Sequence, residues 1–349
     1  MNRLTLVVVL AAACSSSESE PGFEPKRRLV VSAEPRSSRA GNPLPQRVMR
    51  RYKPLTAPAA AVNPALVALG RMLYFEPRLS STGEVSCNSC HPLDGYGVTH
   101  DATSKGVRGQ TGTRNAPSTY NAARHFRQFW DGRSATIEDQ AGDPILNPIE
   151  MGMQSSDSVV RALEAIRGYG PAFAAAFPGE LEPITWAHVK EAIGAFERGL
   201  VTPGRWDRFL RGDSAALTTV EKEGARSFAN LGCVVCHAGE LAGGSMYEKL
   251  GAVKAWPNQN DKGRFDVTHD DGDEMMFKVS SLRNVAKTAP YFHDGSAATL
   301  SEAVRMMARH QLGEELDDDE VKGIVAWLEA LSGEVPQDYI VKPQLPEAR

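Results

Sequence analysis

Apolar positions along this chain recur at intervals of three and four rather than two, so most of it is expected to be helical. Asn63 before Pro64 forms an N-cap with proline at the first helical position, and Leu66, Leu69 and Leu73 then share one face. The capping box Thr218-Thr219-Val220-Glu221 opens a helix that carries Phe228 and Leu231 and stops at Gly232. Near the C-terminus, Asp317 caps a helix through Val321, Ile324, Val325 and Leu328. Two more helices are expected at 157–177 and 185–200. In the second, Val189, Ile193, Phe196 and Leu200 make a stripe suited to packing. Alternating runs rich in Val, Ile and Thr are scarce, so the fold class is mainly α.

The N-terminus breaks this pattern. Arg3, the apolar run Leu4 to Leu10 and then Ala11-Ala12-Ala13-Cys14 read as an export signal, with small residues before a cysteine as in a bacterial lipoprotein. Cys14 is the expected lipid-anchor position, and the apolar run is too short to span a bilayer. Residues 15–61 are rich in Ser, Pro, Glu and Arg without sustained periodicity, which predicts a flexible tether. The remaining chain is long enough for two domains, 62–205 and 206–340, with a boundary near Pro203 to Asp213. A net charge of −4 argues against a nucleic-acid partner and suits a basic redox partner.

Two copies of Cys-x-x-Cys-His carry the chemistry: Cys87 to Cys90 with His91, and Cys233 to Cys236 with His237. This is the attachment signature of haem c. The thiols add across the vinyl groups and the adjacent histidine is brought beneath the ring to ligate iron. Zinc sites and redox disulfides also use paired cysteines, but neither needs a histidine directly after each second one. The motifs use four of the five cysteines and Cys14 is the fifth, so no disulfide framework remains. The C-terminal half reads helix, motif, long loop, methionine, helix, the order of a small cytochrome c domain. Each half is expected to carry one covalent haem c, and attachment of such haems places the mature chain in the periplasm.

Function then turns on the second axial position of each iron. A thioether closes iron to substrates and raises its potential. For the His237 haem the candidate is Met307, on a helix opened by Thr299-Leu300-Ser301-Glu302; Met306 beside it points about 100° away, and spacing alone does not choose between them. For the His91 haem no methionine has an equivalent place; Met151, Met153, His100 and His125 are alternatives, and an open iron is the leading option. The stretch from Phe129-Trp130-Asp131 through Gln140 to Glu150 holds acid/base candidates. Heterolytic cleavage of a peroxide needs a group that moves a proton from the inner to the outer oxygen, and a glutamate shielded from water can do so.

These residues resemble the bacterial dihaem cytochrome c peroxidases over nearly all of the mature chain. The matching segments are Ser86 to His91, Arg114-Asn115-Ala116-Pro117, Phe129 to Arg133, Glu150-Met151, Gly232 to His237, Leu282 to Val285, Thr288 to His293 and Gln311-Leu312-Gly313. The resemblance implies a low-potential peroxidatic haem on His91 and a high-potential, electron-entry haem on His237 and Met307. It implies Glu150 and Gln140 in the peroxide pocket, Trp130 between the haems, and an interdomain calcium ion on Asn115, Thr288 and Pro290. It also implies hydrogen peroxide as substrate, a small periplasmic cytochrome c or cupredoxin as donor, and a homodimer. One departure matters: where many members carry a histidine that caps the peroxidatic iron at rest, this chain has Val107. Related MauG-type enzymes oxidise a partner protein and replace the methionine by tyrosine, so Met307 weighs against that branch. A pure electron carrier would have both irons six-coordinate.

Overall fold

The computed structural model describes Leu44, residues 46–56 and residues 63–347. The export signal, Cys14 and most of the expected tether lie outside the described residues. Twelve α-helices and one two-stranded ribbon are found among the described residues. The helices are α1 Gln46–Met49, α2 Pro64–Tyr74, α3 Cys87–Cys90, α4 Ile137–Leu146, α5 Ser156–Glu164, α6 Tyr169–Ala176, α7 Trp186–Glu197, α8 Arg205–Leu210, α9 Thr219–Asn230, α10 Phe265–Thr268, α11 Leu300–Met307 and α12 Asp318–Ala330. The ribbon pairs β1 Tyr247–Lys249 antiparallel with β2 Met276–Lys278.

The expected caps form. Asn63 Oδ1 accepts from the Ala65 and Leu66 amides, both at 3.1 Å, and Thr218 with Glu221 and Asp317 with Glu320 close capping boxes. The helix expected at 157–177 is instead two, α5 and α6, separated at 165–168. Pro171 explains the break, because it has no amide proton to give to residue 167 and is tolerated only in the first turn of a new helix.

In each half a close helix crossing is built on glycine. A Cβ on Gly70 of α2 would overlap the Ala192 carbonyl of α7, and one on Gly224 of α9 would overlap the Gly323 carbonyl of α12. A Gly224→Val protein is therefore expected to lose about 3 kcal/mol, the upper part of the usual overpacking range, read as a lowered denaturation midpoint of the holoprotein. Around these crossings lie separate apolar cores, one holding Leu69, Leu73, Phe173 and Ile193, the other Trp206, Phe228, Ile324 and Trp327. By backbone contacts, the described residues form one unit.

The ends of this unit cross over. Leu44, Val48 and Tyr52 are buried in the C-terminal core, and Leu55 is fully buried beside Val201 and Leu241. Asp207 of α8 receives the Leu55 amide at 2.6 Å, the Gly204 amide at 2.7 Å and the Arg283 guanidinium at 2.9 Å. Residues 46–56 thus belong to the folded body rather than to the expected tether. The buried residues Leu44, Val48, Tyr52 and Leu55 recur at intervals of four, four and three, a helical period obscured by the Pro- and Arg-rich composition around them. At the other end, Tyr339 stacks on Phe196 with ring centroids 5.1 Å apart, and Pro346 O accepts from Arg78 in the N-terminal half.

Residues 121–136 and 284–299 repeat one another at an offset of 163 residues, seen in the pairs 121 and 284, 129 and 292, 136 and 299, whereas the two histidine motifs lie 146 residues apart. Asn121 and Asn284 are both left-handed, as are Phe129 and Phe292. The bridge Gln128–Ser134 matches Tyr291–Ala297, and Thr136 caps α4 as Thr299 caps α11. Both asparagine amides donate to the same buried Thr202 hydroxyl, at 2.9 and 2.8 Å, which pins the two copies together.

Candidate active site

Two cavities flank Trp130. The larger, about 300 Å³, is walled by Cys233, Cys236 and His237 with Met307 of α11. The smaller, about 150 Å³, is walled by Cys90, His91, Gln140, Pro144 and Glu150. Asn115, Pro117, His125, Phe129, Trp130 and Lys278 line both. The Trp130 indole is fixed by a 2.9 Å bond from Nε1 to Asn115 O.

Both histidine motifs fold so that the ring is held from behind. In α3 the His91 amide returns to Cys87 O at 2.9 Å, and after Gly232 turns left-handed the His237 amide returns to Cys233 O at 3.0 Å. His91 Nδ1 bonds Gly97 O at 3.1 Å and His237 Nδ1 bonds Ala242 O at 3.2 Å. Burial keeps both rings neutral by lowering their pKa. With Nδ1–H given to a carbonyl, the Nε2 lone pair is free for a metal, the usual arrangement of an iron-ligating histidine. The four motif cysteines are unpaired, and burial raises all four thiols, Cys233 to about 12. Such thiols stay protonated at neutral pH, which does not suit thiol redox chemistry.

The cavity walls also fit a haem. They combine apolar residues such as Phe228, Leu282, Val304 and Leu328 with two buried nitrogens that have no hydrogen-bond partner among the described residues, His125 Nε2 and His293 Nε2.

Of the two adjacent methionines, Met307 lines the larger cavity, while Met306 packs with Tyr291, Ala297 and Ala303. A π-helical turn, Ala308–Leu312, follows directly, a feature common at functional sites. The internal repeat shows what stands in the other half. Pro144 of α4 occupies the place of Met307, and Gln140 one turn earlier occupies that of Ala303. Proline has no atom to offer a metal, so the His91 cavity lacks the thioether its twin possesses. The sequence signal for this was the match between the Phe129 and Phe292 segments, which runs as far as the capping threonines and opening turns of both helices.

Glu150 lies in the turn after α4, with Oε1 accepting from Asn147 Nδ2 at 2.8 Å. Burial raises its pKa, and Arg133 opposes the shift. Val107 is fully buried, does not line the cavity, and donates its amide to Glu150 O at 2.8 Å. Among the other ligand candidates, Met151 is buried in the N-terminal core with Met153 packed against it, and His100 bonds Ala289 O at 3.0 Å; none of the three lines a cavity. Asn115, Thr288 and Pro290 share the wall of the larger cavity, and the Asn115 amide donates to His293 O at 2.6 Å. No cluster of three or more His, Cys, Asp or Glu suited to a metal occurs among the described residues. A site built from an amide and carbonyl oxygens would not be of that kind.

Glu197, which the sequence analysis passed over, lines the smaller cavity at 4% exposure with Oε2 unpartnered. Burial first, then Glu138, pushes its carboxyl up to about 8. The folded protein therefore holds a proton that the unfolded chain releases above about pH 4.5. Stability is expected to fall as pH rises from there to about 8. Glu197→Gln should flatten that slope in denaturant titrations at stepped pH.

A family model described as di-haem cytochrome c peroxidase matches residues 64–215. The chain is 42% identical over 294 residues to a cytochrome c551 peroxidase of Nitrosomonas europaea, covering 83% of this chain and 87% of the relative. It is 42% identical over 284 residues to the cytochrome c551 peroxidase of Pseudomonas aeruginosa, covering 80% and 81%. Among solved structures, a MauG-like protein associated with microbial copper homeostasis superposes with a TM-score of 0.74 at 29% identity, covering 83% of this chain and 97% of that one. Paired cysteine-histidine motifs facing two cavities and these matches agree: the chain belongs to the di-haem cytochrome c peroxidase family.

Proposed function

We propose that this protein reduces hydrogen peroxide to water at the His91 cavity, using electrons that enter at the His237 side. The observation that carries this reading is the asymmetry at one repeat position, Met307 in one half and Pro144 in the other. His91, with Cys87 and Cys90, would hold one haem c; His237 and Met307, with Cys233 and Cys236, would hold the other. When bound, the haems supply an iron that takes a peroxide oxygen and the capacity to store electrons.

The chain's own groups do the rest. Glu150, shielded from water, takes the proton of the inner peroxide oxygen and returns it to the outer one as the O–O bond breaks. Gln140, on the same wall, orients the peroxide through its amide. Two electrons and two protons convert one peroxide to two waters. Trp130, lining both cavities, is the conduit between them. A calcium ion on the Asn115 side-chain oxygen and the Thr288 and Pro290 carbonyls fits a hard cation's preference for oxygen. The donor is a small periplasmic cytochrome c or cupredoxin, and the enzyme works in the periplasm, tethered through a lipid on Cys14 and paired as a homodimer.

Electron paramagnetic resonance of the fully oxidised protein tests the open site: a high-spin ferric signal is expected from the His91 haem. Two purely low-spin haems, or no peroxide consumption with a reduced small cytochrome, would refute the reading. A second reading, oxidation of a partner protein, draws on Val107 in place of a capping histidine and on the MauG-like structural neighbour. Peroxide-driven modification of a co-purifying protein would favour it.

A further inference from the structure

The seam between the two cavities holds a buried cation with no acid beside it. Lys278, the last residue of β2, is 7% exposed. Its Nζ donates to His125 Nδ1 at 2.8 Å and to Arg127 O at 3.1 Å, and its backbone amide donates to Trp130 O at 2.7 Å. Among the described residues no carboxylate forms an ion pair with it. Asp131, which acts on it through space, is already held by Arg114 at 2.5 Å and Arg133 at 3.0 Å. An ammonium buried without an anion is costly.

The same contact fixes the state of His125. A neutral imidazole has one donor and one acceptor nitrogen. Lys278 donates a hydrogen bond to Nδ1, so Nε2 carries the ring's hydrogen, and that N–H is buried without a partner among the described residues. This is the reverse of His91 and His237, whose Nδ1–H groups point at carbonyls and leave Nε2 as a lone pair. His125 is therefore built to donate a hydrogen bond, not to ligate iron. Both side chains line both cavities.

We propose that Lys278 and His125 form a carboxylate-binding pair that holds a haem propionate at the seam between the two cavities. The inference rests on the dihaem reading above, because haem is the source of that carboxylate. It assigns the pair a positioning role: it anchors one haem edge beside Trp130 and supplies positive charge that favours the reduced iron. Burial, opposed by Asp131, pulls the Lys278 amine down to about 7, and a carboxylate partner restores its charged form.

The test uses holoprotein with two haems per chain, verified by haemochrome analysis; failure of that count would remove the dihaem reading rather than this one. In spectropotentiometric titrations, Lys278→Met is expected to lower the one-electron reduction equilibrium of one haem at least tenfold, about 59 mV. Lys278→Arg, which keeps the charge, should stay within threefold of the parent. His125→Phe should shift the propionate bending band in resonance Raman spectra. Unchanged potentials of both haems in Lys278→Met would overturn the proposal, as would a low-spin signal that disappears in His125→Phe. If Lys278→Met does not fold, an unmoved propionate band in His125→Phe overturns it equally.

Discussion

Replacing Glu150 by glutamine is expected to lower peroxide turnover by about 10²–10⁴-fold while two haems remain bound and the Met307 side keeps its potential. The amide keeps the shape and the bond to Asn147 but cannot carry the proton between the two oxygens. Stopped-flow mixing with peroxide measures this directly. The pH profile adds a second signature. Burial raises the carboxyl, so its proton-accepting form is lost as pH falls through a value above the ordinary 4.5. The parent should show an acid limb there and the glutamine form should not. Normal turnover by Glu150→Gln would remove the residue from the role proposed for it.

The largest expected effect on stability lies elsewhere, at Asp207. This carboxylate is fully buried, pairs with Arg283 at 2.9 Å, and takes the amides of Leu55 and Gly204. Asp207→Ala leaves the buried Arg283 guanidinium without its counter-charge and two amide protons without their acceptor, at a cost of about 3–5 kcal/mol. Denaturant unfolding of the holoprotein measures it. The N-terminal segment should also become sensitive to proteolysis, because the Leu55 amide loses its anchor. Equal stability of parent and variant would mean that water replaces the lost partner.

How much of this was legible in the sequence differs by kind of signal. Caps and turn residues were readable because their chemistry is local: Asn63, Thr218 and Asp317 act where they stand. The two histidine motifs were readable because covalent attachment demands fixed spacing. Met307 over Met306 was not, since adjacent residues on a helix differ only in direction and the neighbours that decide it come from other segments. Glu197 escaped notice although it shares a helical face with Ile193 and Leu200, where a carboxylate is out of place. Pro144 escaped because α4 and α11 share their opening turn and then diverge. The packed segment 46–56 was missed because its apolar residues, although spaced as on a helix, stand in a Pro- and Arg-rich stretch that looks like linker until their distant pockets are seen.

The exchange of ends between the halves bears on how the chain matures. The first described residues, Leu44 and 46–56, rest chiefly on residues far along the chain, among them Trp206, Trp327 and Asp207. The closing residues near Tyr339 return to the half made first. Neither half is complete when produced alone: a gene divided at residue 205 yields one fragment lacking its lid and another lacking its clasp. Mixed after haem attachment, the fragments are expected to co-elute as one complex, each supplying the other's missing piece.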